Sequence, residues 1–229
     1  MILLTTYYIP NLIARQKEID RCLLHNIENQ YIDSIYLLNN QMYDLSHLPD
    51  PNHKIHQIII SHNPTYQLRY KDAIEYMNQH FIGKICILSN SDIYFNETLY
   101  KLYSVSFQNK LFALLRYDEE ENGNKNIFSR HNLPRTDSQD SWIFQSPLQV
   151  DTNKLDFSMG TLGCDNIFAN IIYQSNIIIS NPCYDIETIH VHYSNYRSYS
   201  IDNRIHGKYC LLPPCKLTSN PPSPQFIDY

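Results

Sequence analysis

The chain has 229 residues, 43% hydrophobic and 18% charged, which excludes a disordered polymer and fits one globular domain with a sizeable core. A net charge of −5 argues against general nucleic-acid binding, which needs a basic face, and leaves room only for a local basic groove. Only 5 glycines and no Gly-x-Gly-x-x-Gly argue against a glycine-rich dinucleotide fingerprint, and 6 cysteines without a Cys-x-x-Cys pair argue against a zinc site.

In chain order, Ile2 to Thr6 reads as a first strand, and Arg15 to Asn29 as an amphipathic helix burying Ile19, Cys22, Leu23 and Ile27. Ile32 to Leu38 is a second strand, Asp44 to His56 a Pro-containing loop, and Gln57 to Ser61 a third strand. A helix is expected from Tyr66 to His80 after Asn63-Pro64-Thr65, with Leu68, Ala73, Ile74 and Met77 buried. Ile85 to Leu88 reads as a buried strand that ends in Ser89-Asn90-Ser91-Asp92, followed by a helix over Leu99 to Phe107. Leu111 to Tyr117 and Ser141 to Phe144 read as strands, with an acidic loop from Asp118 to Lys125. Asp165 to Tyr173 reads as a helix and Ile177 to Ile179 as a strand.

This alternation predicts an α/β fold with a mostly parallel, Rossmann-like sheet flanked by helices. The expected organisation is one domain over residues 1–212 and a Pro-rich tail over 213–229, extended or disordered. Met1 to Thr6 lacks the basic and apolar regions of a signal peptide, and no apolar run is long enough for an integral membrane segment. Cys22 and Cys86 fall in apolar patterns and read as core thiols, so the expected setting is cytoplasmic and reducing.

Four polar clusters fall at predicted strand ends or in nearby loops: Asn90-Ser91-Asp92, Ser138 to Trp142, Gly160 to Asn166, and His190 to Ser194 with Arg197 and Tyr199 after it. Open α/β sheets place ligand groups at the C-terminal ends of their strands. Carboxylates and an imidazole gathered there suit Mg²⁺ or Mn²⁺, which accept oxygen ligands and share them with substrate phosphates. Each cluster also has a plain structural reading. Asp92 suits a turn or a cap, Asp140 a turn, and Asp165 a helix N-cap; His190 and His192 suit a structural pair and Trp142 a core aromatic.

Taken in order, Arg69-Tyr70-x-Asp72, Asn90 to Phe95, Leu115 to Asp118, Ser138 to Phe144, Gly163 to Asn166, and Asn181-Pro182 followed by His190-x-His192-x-Ser194-x-x-Arg197-x-Tyr199 resemble a known family. The chain is similar to the small GT-A-type glycosyltransferases, closest to the compact ones of large DNA viruses and some bacteria. The resemblance spans about Thr5 to Tyr199.

It implies a hexosyltransferase-like enzyme that moves a sugar from a nucleoside-diphosphate donor, UDP favoured, to a hydroxyl of a glycan or glycoprotein acceptor. It also implies a divalent metal, Mn²⁺ or Mg²⁺, and a virus-encoded protein acting in a host cell. Asn90-Ser91-Asp92 would stand as the Asp-x-Asp-type motif, with Asn in its first position. Asp92 and His192 would hold the metal, with His190 as the rival histidine. Thr5 and Thr6 would touch the nucleotide, and Arg69 and Arg197 the nucleotide or its phosphates. Gly163 and its loop would flank the donor sugar, which Trp142 would face. Asp165 would be the catalytic base and Asp140 the second candidate, in an inverting reaction. A non-catalytic nucleotide-sugar or glycan-binding protein on the same scaffold is the alternative, kept open by Asn90. A nucleotidyltransferase would want a basic glycine-rich loop near its first strand, and that loop is absent.

Overall fold

The computed structural model describes residues 1–60, 67–194, 203–218 and 220–229. Its described elements run β1 Ile2–Thr5, α1 Ile13–Glu28, β2 Ser34–Asn39, β3 Ile55–Ile59, α2 Tyr70–His80, β4 Ile85–Ser89 and β5 Ile93–Phe95. A 3₁₀ helix, Glu97–Ser104, precedes β6 Lys110–Leu114, β7 Arg116–Glu119, β8 Lys125–Ile127, β9 Ser129–Arg130, β10 Leu133–Pro134 and β11 Ser141–Gln145. A second 3₁₀ turn, Thr152–Leu155, leads to α3 Cys164–Gln174, β12 Ile178–Ser180, β13 Thr188–Val191, β14 Lys208–Leu211 and β15 Gln225–Asp228.

The main sheet has 7 strands in the order β12-β6-β11-β4-β1-β2-β3. It is parallel throughout except for β11, which runs antiparallel between β4 and β6. The mostly parallel, helix-flanked α/β sheet expected from the alternation is present. A parallel sheet covered on both faces needs strands that are apolar on both sides, and β4 supplies them. Cys86 and Leu88 point into one core with Tyr70, Ile74 and Met77 of α2 and Phe168 and Ile172 of α3. Ile87 points into the other, with Ile19, Leu23 and Ile27 of α1 and Leu99 and Leu102 of the first 3₁₀ helix.

A smaller sheet, in the order β5-β13-β7-β8, stands beyond the strand ends. Its existence corrects the single strand expected over Leu111 to Tyr117. The Leu115 N–H bonds to Asn181 Oδ1 at 3.0 Å instead of a sheet partner, and the chain there leaves β6 for β7 in the other sheet. The acidic stretch after it is a β7–β8 hairpin, closed by Glu120 and Asn124. The helix expected over Leu99 to Phe107 is 3₁₀ and begins at Glu97, where the Asn96 side chain caps the Thr98 N–H. The helix expected from Tyr66 starts at Tyr70; Ser61 to Tyr66 lie outside the described residues. At the far end of the chain, β14 and β15 pair antiparallel, so the end of the Pro-rich segment folds back as a strand. Among the described residues, no helix is long and apolar enough to cross a membrane.

Candidate active site

Because β11 is antiparallel, its first residue lies beside the last residues of its neighbours. Ser141 pairs with Ser89 of β4 and with Leu114 of β6. That register brings the second polar cluster onto the first. Asn90 donates its main-chain N–H to the Asp140 carbonyl at 3.2 Å and its side-chain Nδ2 to Asp140 Oδ1 at 3.1 Å. Asp92 then lies at the entry to β5, where the chain passes from the main sheet to the small one. In the small sheet His190 is in register with Ile93 on one side and Asp118 on the other. The two sheets therefore meet at Asp92.

The charged groups there form one connected chain. Arg15 Nη2 donates to Asp92 Oδ2 at 2.5 Å, and His190 Nε2 lies 3.1 Å from the same oxygen. His190 Nδ1 lies 2.8 Å from Asp118 Oδ1, which also accepts from Arg116 Nε at 2.7 Å. Arg116 Nη1 then reaches Asp140 Oδ2 at 3.1 Å. Burial alone would raise the Asp92 carboxyl, but the charges and hydrogen bonds of His190 and Arg15 outweigh it and hold the pKa well below the usual carboxylate range. Burial likewise works against charge on His190, yet Asp92 and Asp118 raise its pKa to about 9. His192 is the opposite case: burial first, then the Arg15 and His190 charges, lower its pKa.

Asp92, His190 and His192 each offer a ligand atom, all within 4.8 Å of one another. His192 Nε2 is buried without a hydrogen-bond partner. Two imidazoles and a carboxylate with one nitrogen left unsatisfied fit a divalent cation, provided His190 gives up its Nε2 proton as the metal binds. The structure thus brings both histidine candidates to Asp92.

Asp165 sits in the first turn of α3. Gly163, with φ +85°, is the N-cap and offers no side chain to cap the helix, so Asp165, two residues on, is not the cap that the sequence left open. Asp165 Oδ2 accepts the Gln139 N–H at 2.9 Å, and Oδ1 accepts from Asn166 N and Nδ2, each at 3.1 Å. Enclosure by protein raises its pKa to about 7; the amide donors oppose that rise and the nearby Asp140 charge adds to it. A carboxyl in that range changes protonation near neutrality, as a general base requires.

Asp92, His190, His192, Asp140 and Asp165 all line one cleft of about 680 Å³, within the usual range of ligand pockets. Thr6, Asn90, Ser91 and Gly163 line it as well. Thr5 is 5% exposed and gives its hydroxyl to the Ser89 carbonyl at 2.9 Å, so it joins β1 to β4 rather than facing the cleft. Arg69 is a correction of the same kind. It pairs with both oxygens of Asp72 at 2.8 and 2.9 Å and with Asp156 at 2.8 Å, and its neighbours Gln67 and Leu68 line the cleft instead. Trp142 borders the cleft but is 1% exposed, with its ring set edge-on against Tyr70 and Phe168. Its core reading therefore holds, and its faces are covered by protein rather than open to a sugar. Arg197 and Tyr199 lie outside the described residues.

Two cleft residues, Arg15 and Arg116, do not stand out as site candidates in the sequence. Arg116 falls between an apolar strand and an acidic stretch, and Arg15 only opens a helix. A signal for Arg15 exists all the same. Arg15 and Glu18 fall on the same helical stripe as Ile19, Cys22 and Leu23, and all five are buried. A charged pair inside an apolar stripe needs partners at the end of its side chains.

No protein-family profile and no curated protein matches the chain. Among solved structures it is similar to S. aureus TarS residues 1–349 in complex with UDP-GlcNAc, at 12% identity and a TM-score of 0.53. That match covers 87% of this chain and 61% of that one, so the chain spans less than two thirds of that fragment's length. A 4-diphosphocytidyl-2C-methyl-D-erythritol synthase aligns at 8% identity and a TM-score of 0.46, covering 88% of this chain and 93% of that one. HddC from Yersinia pseudotuberculosis aligns at 14% identity and 0.42, covering 64% and 77%. Identities this low bear on the fold alone, and the TarS likeness agrees with a GT-A-like, Rossmann-like architecture.

Proposed function

We infer that this chain is a metal-dependent glycosyltransferase that moves a sugar from a nucleoside diphosphate to an acceptor hydroxyl with inversion. The observation that carries this reading is a single cleft lined both by a carboxylate–imidazole cation site, Asp92 with His190 and His192, and by a carboxyl with a pKa of about 7, Asp165. UDP is the favoured nucleotide because the TarS structure that shares this fold is a complex with UDP-GlcNAc. Sugar phosphates and glycans are the substrate classes that such a polar cleft suits.

A divalent cation, Mn²⁺ or Mg²⁺, held by Asp92, His190 and His192 would offset negative charge on the departing diphosphate. Arg15 already brings a cation to Asp92 and adds positive potential at the same point. Thr6 and Ser91, at the ends of β1 and β4, lie on the nucleotide side of the cleft. Asp165, once ionised, takes the proton from the acceptor hydroxyl as that oxygen attacks the anomeric carbon. Asp140 is held by Arg116 and Asn90, which makes it a positioning group for the loop before β11 rather than a free base.

One observation favours the second reading, a non-catalytic binder of nucleotide sugars. Asn90 supplies no second carboxylate, and the Arg15 guanidinium lies against Asp92 at 2.5 Å, where a cation would bind. The two readings separate by experiment. UDP, GDP and dTDP, each with and without Mn²⁺, are scored for thermal stabilisation, since a ligand of the native state must raise the melting temperature. Metal-linked stabilisation by at least one diphosphate is expected; its absence for all three would refute the transferase reading. Release of diphosphate from the matching nucleotide sugar then distinguishes enzyme from binder.

A further inference from the structure

The protein has 8 arginines and 10 lysines and a net charge of −5, yet among the described residues Arg15, Arg116, Arg130, Arg135 and Arg204 all line the cleft and no lysine does. Arginine's planar fork grips phosphates and carboxylates with two parallel hydrogen bonds, which a lysine ammonium does not. Three of the five are already engaged with protein carboxylates. Arg15 holds Asp92 and Glu18, Arg116 holds Asp118 and Asp140, and Arg135 holds both oxygens of Asp137. Among the described residues, Arg130 and Arg204 have no carboxylate ion pair. Arg130 is exposed and reaches Asp137 only through space. The Arg204 guanidinium lies 5.0 Å over the Tyr229 ring, which stacks on Tyr209 at 4.8 Å.

Neither residue belongs to the ends of β1 and β4, where the transferase reading puts the nucleotide. Arg130 belongs to the short β9–β10 hairpin, next to Phe128, over whose ring Arg116 and Arg135 lie at 3.8 and 5.1 Å. Arg204 precedes β14, whose Tyr209 packs directly on Gly163, two residues before Asp165. Arg130 acts on Asp137, whose carbonyl accepts from Asn166 beside Asp165, so both arginines, which have no carboxylate ion pair among the described residues, lie toward the side of the cleft where Asp165 would meet the acceptor.

We propose that this outer half of the cleft, with Arg130 and Arg204 at its mouth, is an acceptor subsite for a sugar that bears a phosphate or carboxylate group. The assignment to an acceptor rests on the transferase reading; the affinity for an anionic sugar does not. The Tyr229 ring limits the freedom of the Arg204 guanidinium, so less order is lost there when an anion docks. Binding at such an exposed mouth weakens as salt rises.

The test compares glucose 6-phosphate, glucuronate and glucose by calorimetry on the full chain saturated with Mn²⁺ and the nucleoside diphosphate that stabilises it best. The expected result is anionic sugars bound about tenfold or more tightly than glucose. The preference falls by a similar factor in Arg130→Gln/Arg204→Gln, with diphosphate affinity unchanged. Equal binding of the three sugars overturns the proposal, as does a preference that survives the double substitution. Diphosphate affinity that falls in step with it assigns the arginines to the donor's phosphates and overturns the acceptor assignment. Arg130→Gln alone, at an exposed position, repeats the measurement if the double variant folds poorly. If no diphosphate binds, the transferase reading fails by itself, and the same titration without nucleotide still reports whether the arginines select an anionic sugar.

Discussion

The main-chain N–H of Gln139 donates to Asp165 Oδ2 at 2.9 Å, which ties the loop before β11 to the first turn of α3. This bond gives Asp165 a fixed direction, and among the described residues no ion pair holds it. Its pKa of about 7 lies above the ordinary 3.8, so the folded protein holds a proton there that the unfolded chain would have lost. The sign follows from linkage: the Asp165 contribution to stability is fully present below about pH 4 and is lost as the pH rises through about 7. Asp165→Asn imitates the protonated acid. Its melting temperature should match the parent near pH 4 and gain on it as the pH rises to 7, by at most about 1.4 kcal/mol per pH unit, then keep a constant lead. In transfer assays the parent rate should rise with pH through about 7, and the variant should lose about 10²-fold or more above that pH and converge on the parent as the pH falls. A parallel pH–stability curve for the variant would remove the base assignment.

Asn90 makes a further prediction. Its Nδ2 and Arg116 Nη1 both donate to Asp140 Oδ1, at 3.1 and 3.3 Å. Asn90→Asp replaces one donor by a carboxylate facing another carboxylate. In EDTA the variant should melt lower, by about 1–2 kcal/mol in stability. With Mn²⁺ and diphosphate it should recover more than the parent does, because the added charge completes an Asp-x-Asp pair beside the cation site. Scanning fluorimetry under both conditions reads the difference. An equal response of the two proteins to Mn²⁺ would separate Asn90 from the metal.

How much of the fold and site is legible in the sequence varies by the kind of contact. Ile85 to Leu88 and Ile2 to Leu4 declare themselves, because a strand buried on both faces is apolar on both faces. Asp92, Asp140, Asp165, His190 and His192 can be singled out because four polar clusters arrive in order within one α/β chain, although each alone also suits a turn, a cap or a structural pair. What local pattern does not show is pairing across the fold. The antiparallel setting of β11 is what brings Asp140 onto Asn90, and the switch at Leu115 is what carries Asp118 to His190. Arg69 has the look of a phosphate ligand until Asp72 and Asp156 are seen to enclose it. Trp142 has the look of a sugar platform because its packing against Tyr70 and Phe168 depends on residues distant in the chain.

His192 should separate metal binding from folding. Its Nε2 is buried without a partner, and leaving such an atom unsatisfied costs on the order of 1–3 kcal/mol. His192→Phe keeps a ring and removes that atom. Without metal the variant should be as stable as the parent or more so. With UDP present, its Mn²⁺-linked rise in melting temperature should largely vanish. Calorimetric titration of Mn²⁺ measures this directly. Loss of stability without metal, together with an unchanged Mn²⁺ response, would return His192 to a structural role.

Gly163 tests how the hairpin shapes the cleft. At φ +85° a side chain is strained, and a Cβ there would stand 1.9 Å from Tyr209 Oη and 3.0 Å from the Ile205 carbonyl. The Tyr209 hydroxyl cannot simply swing aside, because it donates to that same carbonyl at 2.6 Å. Gly163→Ala must therefore push the approach to β14 off the first turn of α3, at a cost of about 1–3 kcal/mol. The displaced turn carries Asp165, so the change should also reach the chemistry. Gly163→Ala should lower the transfer rate more than it lowers diphosphate affinity, since the residues proposed to meet the nucleotide, Thr6 and Ser91, follow β1 and β4. Melting curves, steady-state kinetics and diphosphate titration on one preparation supply all three numbers. A variant that loses diphosphate affinity in proportion to rate would place the loop of Gly163 against the donor rather than beside the acceptor.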